Sequence, residues 1–236
     1  VLGFLIMLVW GLPVIILMTI LSFLSAFFEK LNISTEGLRY IGPMAVAFIL
    51  IAAYRIGKKV ITDKITLILF IFGGVATYFL RIPWIYPLVL IIGGAVCIFT
   101  SKEKDLWNKV RISPPWKYLI AFGTIAILSI ILTLLWDNRI IHIFESFYRY
   151  GYLVIGGLQV VVPMMYSELV EVNQYMTNQE FLTGFGLVQG LPGPMFSFSA
   201  YAAGMASRGS GVLVQIIGAI AGGTAIFLPG LLLIYL

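Results

Sequence analysis

The stretch Gln189-Gly190-Leu191-Pro192-Gly193-Pro194-Met195-Phe196 decides how this chain is read. Its surroundings are apolar enough to enter a bilayer, yet two prolines around a glycine end any helix that reaches them. Hydrocarbon cannot satisfy the freed backbone groups, so such a break is buried in protein or lines a wet cavity. In a polytopic membrane protein it is the backbone signature of a substrate site, and "transporter" is the reading to test.

Composition supports a membrane setting. The chain is 61% hydrophobic and 11% charged, against roughly 45–50% and about 25% for an ordinary soluble domain. Residues 1–28 carry no charge. As a helix they would be about 42 Å long, more than a hydrocarbon core of roughly 30 Å requires. That run is too long for a signal peptide and has no basic n-region. The net charge of +5 sits mostly in two short loops, the pattern of the positive-inside rule rather than of a nucleic-acid partner. A single cysteine, Cys97, excludes an internal disulfide and a cysteine metal cage.

Apolar spans are predicted at about 2–28, 40–56, 65–80, 84–99, 118–136 and 212–236. Pro13 interrupts the first and reads as a kink. Arg55, Lys58, Lys59 and Lys64 make one basic loop, and residues 101–117 make another, stiffened by Pro114-Pro115. The positive-inside rule places both in the cytoplasm and residues 137–149 outside. Trp84, Tyr86, Trp107, Trp116 and Trp136 sit near span ends, where aromatic side chains anchor in headgroups.

Beyond residue 150 the pattern changes. Residues 150–166 are apolar but carry Gly156-Gly157, Gln159 and Pro163. An acidic amphipathic stretch follows, with Glu168, Glu171 and Glu180. Thr177-Asn178-Gln179-Glu180 is a capping box, predicting a helix from about 178 that Leu191-Pro192-Gly193-Pro194 stops. A second short helix is expected from Met195 to about 207. Neither piece can cross about 30 Å alone, which predicts half-helices or a re-entrant hairpin. The fold class expected is an all-α polytopic membrane protein with broken or re-entrant helices.

An internal echo suggests a two-fold repeat, inverted or parallel. Gly11-Leu12-Pro13-Val14 reads like Phe227-Leu228-Pro229-Gly230. On that reading the chain starts and ends at equivalent points of a duplicated protein and lacks the first copy of the 150–211 region.

Gly156-Gly157-Leu158-Gln159-Val160-Val161-Val162-Pro163 followed by Glu168-Leu169-Val170-Glu171 resembles the chromate ion transporter family. So do Thr177-Asn178-Gln179-Glu180-Phe181-Leu182, Gln189 to Phe196, Tyr201, Gly204 and Phe227-Leu228-Pro229-Gly230, in order and with family-like spacing. The resemblance implies an integral protein of a prokaryotic plasma membrane that exports chromate, with sulfate as competitor or counter-substrate. It also implies two homologous halves. Residues 1–100 then read as the remainder of a first half with about four spans, and 101–117 as a cytoplasmic linker. Residues 118–236 read as a linking span plus the start of a second half.

A chromate-like substrate is a small tetrahedral dianion. Binding it with a buried cationic side chain would cost several kcal/mol unless that charge were paired. A half-helix N-terminus offers N–H donors and partial positive charge instead. The break supplies one: Leu191, Pro192, Gly193 and Pro194 lead into Met195, Phe196 and Ser197, with Ser197 and Ser199 adding hydroxyls. The bland alternative is a packing kink without a ligand. Gly156, Gly157 and Gln159 could form the opposing wall, or serve close helix packing. Gln189 reads as a buried amide facing either substrate or a structural partner. Glu168 and Glu171, three apart on one helical face, suit gating or proton coupling, or a solvated interface. Arg208 could draw an anion to the mouth or snorkel to headgroups. His142 reads as solvated.

No GxSxG, HExxH or Walker motif is present, which argues against an enzyme or an ATP-driven pump. No cofactor or metal is expected. The partners expected are the oxyanion and the bilayer, with a homo-oligomer left open and no nucleic acid. The competing functions are carriage of sulfate or another anion, and a non-transporting membrane assembly subunit.

Overall fold

Helices make up the regular structure of the described residues, which in this computed structural model are 2–24, 40–80, 85–100, 116–154 and 158–233. In chain order they are α1 (Leu2–Leu21), α2 (Ile41–Val60), α3 (Lys64–Phe79), α4 (Ile85–Thr100), α5 (Trp116–Leu135) and α6 (Arg139–Leu153). Then come α7 (Leu158–Tyr166), a π-helical turn (Ser167–Val172), α8 (Asn178–Gln189) and a 3-10 turn (Met195–Ser197). The series ends with α9 (Phe198–Ala206), α10 (Val212–Ala225) and α11 (Leu228–Leu233).

Among the described residues, three helical stretches are long and apolar enough to cross a membrane: Ile41–Val60, Trp116–Leu135 and Val212–Leu233. Trp116 and Trp136 flank α5 at its two ends, both well exposed, as interfacial anchors do. The spans expected at 65–80 and 84–99 form helices of 16 residues each. At ~1.5 Å per residue each is about 24 Å long, shorter than the bilayer core. Pro13 lies inside α1, and its expected equivalent Pro229 lies in the first turn of α11, just past the turn at Ile226-Phe227. The two halves of the echo therefore have different local structures.

The chain divides into two compact units, residues 50–114 and residues 1–49 with 115–236. In the first, α3 packs on α4, with Gly73 lying against Val89. Asp63 starts α3 through a capping box with Thr66, whose N–H donates to Asp63 Oδ1 at 2.8 Å. Ile68, Phe70, Ile71 and Phe79 are exposed along α3, a surface suited to lipid.

In the second unit α9 is the core: every one of its residues is buried. It packs on α10 and α1, and α10 packs in turn on α6. Small residues allow the approach. A Cβ added to Gly222 would collide with the Ala203 methyl and come within 3.1 Å of Phe147. One added to Gly218 would run into Ser207. Gly218 and Gly222 thus make a small-xxx-small seam, the means by which helices pack when no hydrophobic force drives them together. At the end of α1, Gln215 Nε2 donates to the Ser22 carbonyl at 3.1 Å, satisfying a buried amide.

Residues 137–149, expected as an outside loop, form most of α6. Asn138 caps it, accepting the Ile140 N–H at 2.9 Å. The helix buries Ile143, Phe147 and Tyr150, which recur at helical spacing, and Arg149 with them. The charges that read as a loop instead line one side of a packed helix.

Candidate functional site

The break at Leu191–Pro194 is the tip of a helical hairpin. Thr177 starts α8 as predicted: its hydroxyl accepts the Glu180 N–H at 3.2 Å, while its own N–H donates to Glu180 Oε2 at 2.8 Å. The chain then returns through α9 antiparallel to α8. Phe198 stands edge-on to Phe181 and Phe185, with ring centroids 5.1 and 5.7 Å away. Gly184 leaves no room for a Cβ under the Tyr201 ring, and Tyr201 donates its hydroxyl to the Glu180 carbonyl at 3.0 Å. Arg208 meets the Glu180 carboxylate at the base. Arms of 12 and 9 residues span about 18 and about 14 Å. Neither arm is long enough to cross a hydrocarbon core of about 30 Å alone.

The tip is held by α1. Gly193 has φ +155 and faces Val14 so closely that no side chain fits, and Gly11 lies near Pro194. Pro192 is exposed while Pro194 is buried. The 3-10 turn then leads from the break into α9. Here the donors differ from expectation. The Ser197 N–H is not free but donates to the Pro194 carbonyl at 2.9 Å. The Ser199 hydroxyl turns back to the Phe196 carbonyl at 2.7 Å. The Ser197 hydroxyl, by contrast, is wholly buried and has no hydrogen-bond partner among the described residues. Gln189, expected buried, is half-buried. Leu191, Met195 and Phe196 are half-buried around the tip. Gly156, Gly157 and the side chain of Gln159 lie outside the described residues.

Arg208 is not a lone cation at a mouth: it forms a two-pronged pair with Glu180, 3.0 Å at the longer contact. Burial works to raise the Glu180 carboxyl. The hydrogen bonds from Arg208 and from the Thr177 backbone, with the Arg208 charge, outweigh it and hold the carboxyl below its ordinary range.

A second polar centre was not foreseen from the sequence. Arg149 on α6 donates Nε and Nη2 to Glu145 at 2.8 and 3.1 Å, and Nη1 and Nη2 to Glu168 at 3.1 and 3.0 Å. Ser146 completes the cluster, its hydroxyl donating to Glu168 Oε1 at 2.7 Å. Glu168 is therefore a buried partner of an arginine rather than a solvated acid, while Glu171 on the same π turn is exposed. The cluster borders a cleft of about 520 Å³ that also holds Asp137, Arg139 and His142. His142 Nε2 lies 3.4 Å from Asp137 and Arg139 stacks on Tyr175. The sequence did carry a signal: Glu145 and Arg149 at i, i+4 on a stretch whose apolar residues recur with helical period.

Fold and site together define an all-helical integral membrane protein with a helical hairpin broken at Leu191–Pro194. The chain belongs to the chromate transporter family, whose model matches residues 1–99 and 141–236. No curated protein and no solved structure matches the chain. The family is one of membrane transporters rather than of enzymes, so membrane transport is the activity class here.

Proposed function

We propose that the chain carries chromate out of a prokaryotic cell across the plasma membrane, with sulfate competing, by alternating access around the hairpin tip. The observation that carries this reading is the Ser197 hydroxyl: buried, unpartnered and placed where the break leads into α9. A buried hydroxyl without a partner is destabilising by about 1–3 kcal/mol, a cost that a ligand accepting its hydrogen bond would remove. The N-terminus of α9 adds partial positive charge, favourable for a dianion. Leu191 to Phe196 shape the tip and Gln189 and Ser199 flank it, and on sequence grounds Gly156, Gly157 and Gln159 join them as substrate contacts. Glu168, Glu171 and Arg208 serve gating or coupling. Two related halves rest on the Leu-Pro echo in the sequence alone, since its two copies differ in local structure.

Proteoliposomes holding the chain test the substrate. Oxyanion uptake that chromate saturates and sulfate competes for is expected. A wild type that moves neither anion would overturn the transport reading.

A further inference from the structure

The Ser197 hydroxyl is wholly buried, so a ligand reaches it only if one of its walls moves. α1, α8 and α9 pack on the 3-10 turn that holds it. α8 and α9 are tied to each other by the Phe181, Phe185 and Phe198 rings and by Tyr201 on Glu180. Phe227 stands edge-on to Phe196, but α10 before it is seated on α9 through Gly218 and Gly222. α1 differs from these, because its two parts are held unequally.

From Val14 onward α1 is anchored. Val14, Ile15 and Met18, with Ser22 just past its end, are buried and recur at helical spacing. A Cβ added to Gly223 on α10 would crowd both Ile15 and Ala200. One added to Gly204 on α9 would strike Ser22, whose carbonyl accepts from Gln215 at 3.1 Å. Before Pro13 the packing thins. Leu5, Ile6, Val9 and Trp10 are exposed, and Gly11, lying near Pro194, is the buried position among the described residues there. The boundary between the two parts is Pro13 itself. Its ring gives no N–H to the Val9 carbonyl and crowds that carbonyl, so the helix is weakest where its anchoring ends.

We infer that residues 2–12 of α1 form a gate, hinged at Pro13, that swings off Pro194 to open the Ser197 hydroxyl to an anion. Pro194 begins the turn that carries Ser197, so lifting Gly11 from it uncovers the start of that turn. Val14 stays against Gly193 and serves as the fixed side of the hinge. Passage of an anion through the gate rests on the transport reading; the opening at Pro13 does not.

Thiol labelling of the full chain tests it, with Ser197→Cys as the target and Cys97→Ser removing the native thiol. A small water-soluble thiol reagent should label the buried target slowly, at a rate set by the opening. Adding Pro13→Ala restores the hydrogen bond to Val9 and should slow labelling about tenfold. If Ser197→Cys fails to fold, hydrogen exchange at the Ser197 and Phe198 amides of wild type and Pro13→Ala reads the same opening, again slowed by the alanine. A Pro13 that only shapes the helix would change melting and leave labelling and exchange as they were, which overturns the gate. Slowed labelling in Pro13→Ala, together with wild-type liposomes that move neither chromate nor sulfate, supports the gate and counts against the transport reading alone.

Discussion

Arg208, two residues beyond α9, closes on Glu180 in the first turn of α8, across 28 residues of chain. Glu180 thereby does two things at once: it caps Thr177 and fastens the exit of the hairpin to its start. Replacing Glu180 by Ala removes both. A loss of about 1–2 kcal/mol is expected, mostly the cap, because Arg208 is 40% exposed and its pairing is screened. Thermal unfolding in detergent measures it, with Glu180→Gln recovering part.

The same pair sets a pH dependence. Glu180 lies at the base of the hairpin, outside the three spanning stretches, and its folded carboxyl is held below the ordinary value of 4.5. Its stabilisation is complete above that value and fades as pH falls through the depressed folded value. Melting temperature should drop on acidification below about pH 4.5, and the drop should be smaller in Glu180→Gln. An equal drop in both would remove Glu180 from the account.

Gly193→Ala tests how the tip is held. The φ of +155 is costly for any other residue, and the new methyl would strike Val14. About 1–3 kcal/mol of destabilisation is expected. Adding Val14→Ala should restore the steric part and leave the backbone part, so a double-mutant melt separates the two.

The α9–α10 seam gives a prediction independent of any ligand. Gly222→Ala places a methyl against Ala203 and Phe147 in fully buried surroundings. Overpacking of this kind costs about 1–3 kcal/mol. Gly74→Ala in the other unit meets nothing within 4 Å and should melt like wild type.

Much of the fold was legible because bilayer physics leaves strong marks. Apolar length gave the helices, the Thr177–Glu180 box gave the start of α8, and Pro192 and Pro194 gave its end. That neither hairpin arm spans alone followed from its length. What was not legible depended on pairings across the chain. Arg149 is 19 residues from Glu168, and Arg208 28 from Glu180, and no local pattern says that such charges meet. Hydrophobicity alone also made α6 look like a loop, since Arg149 is buried by partners that only the fold supplies. At the tip, residue types predicted donors, but not that the Ser197 N–H and the Ser199 hydroxyl would be spent on backbone carbonyls.

The central claim is that the hairpin tip binds the oxyanion through the Ser197 hydroxyl. Its most direct test is chromate uptake by proteoliposomes holding wild type or Ser197→Ala, with melting followed in parallel. Because the hydroxyl has no partner among the described residues, its removal should leave stability unchanged or raise it by about 1 kcal/mol, while uptake falls about tenfold, the loss of one hydrogen bond to a charged ligand. Uptake equal to wild type in a Ser197→Ala protein of unaltered stability would contradict the claim.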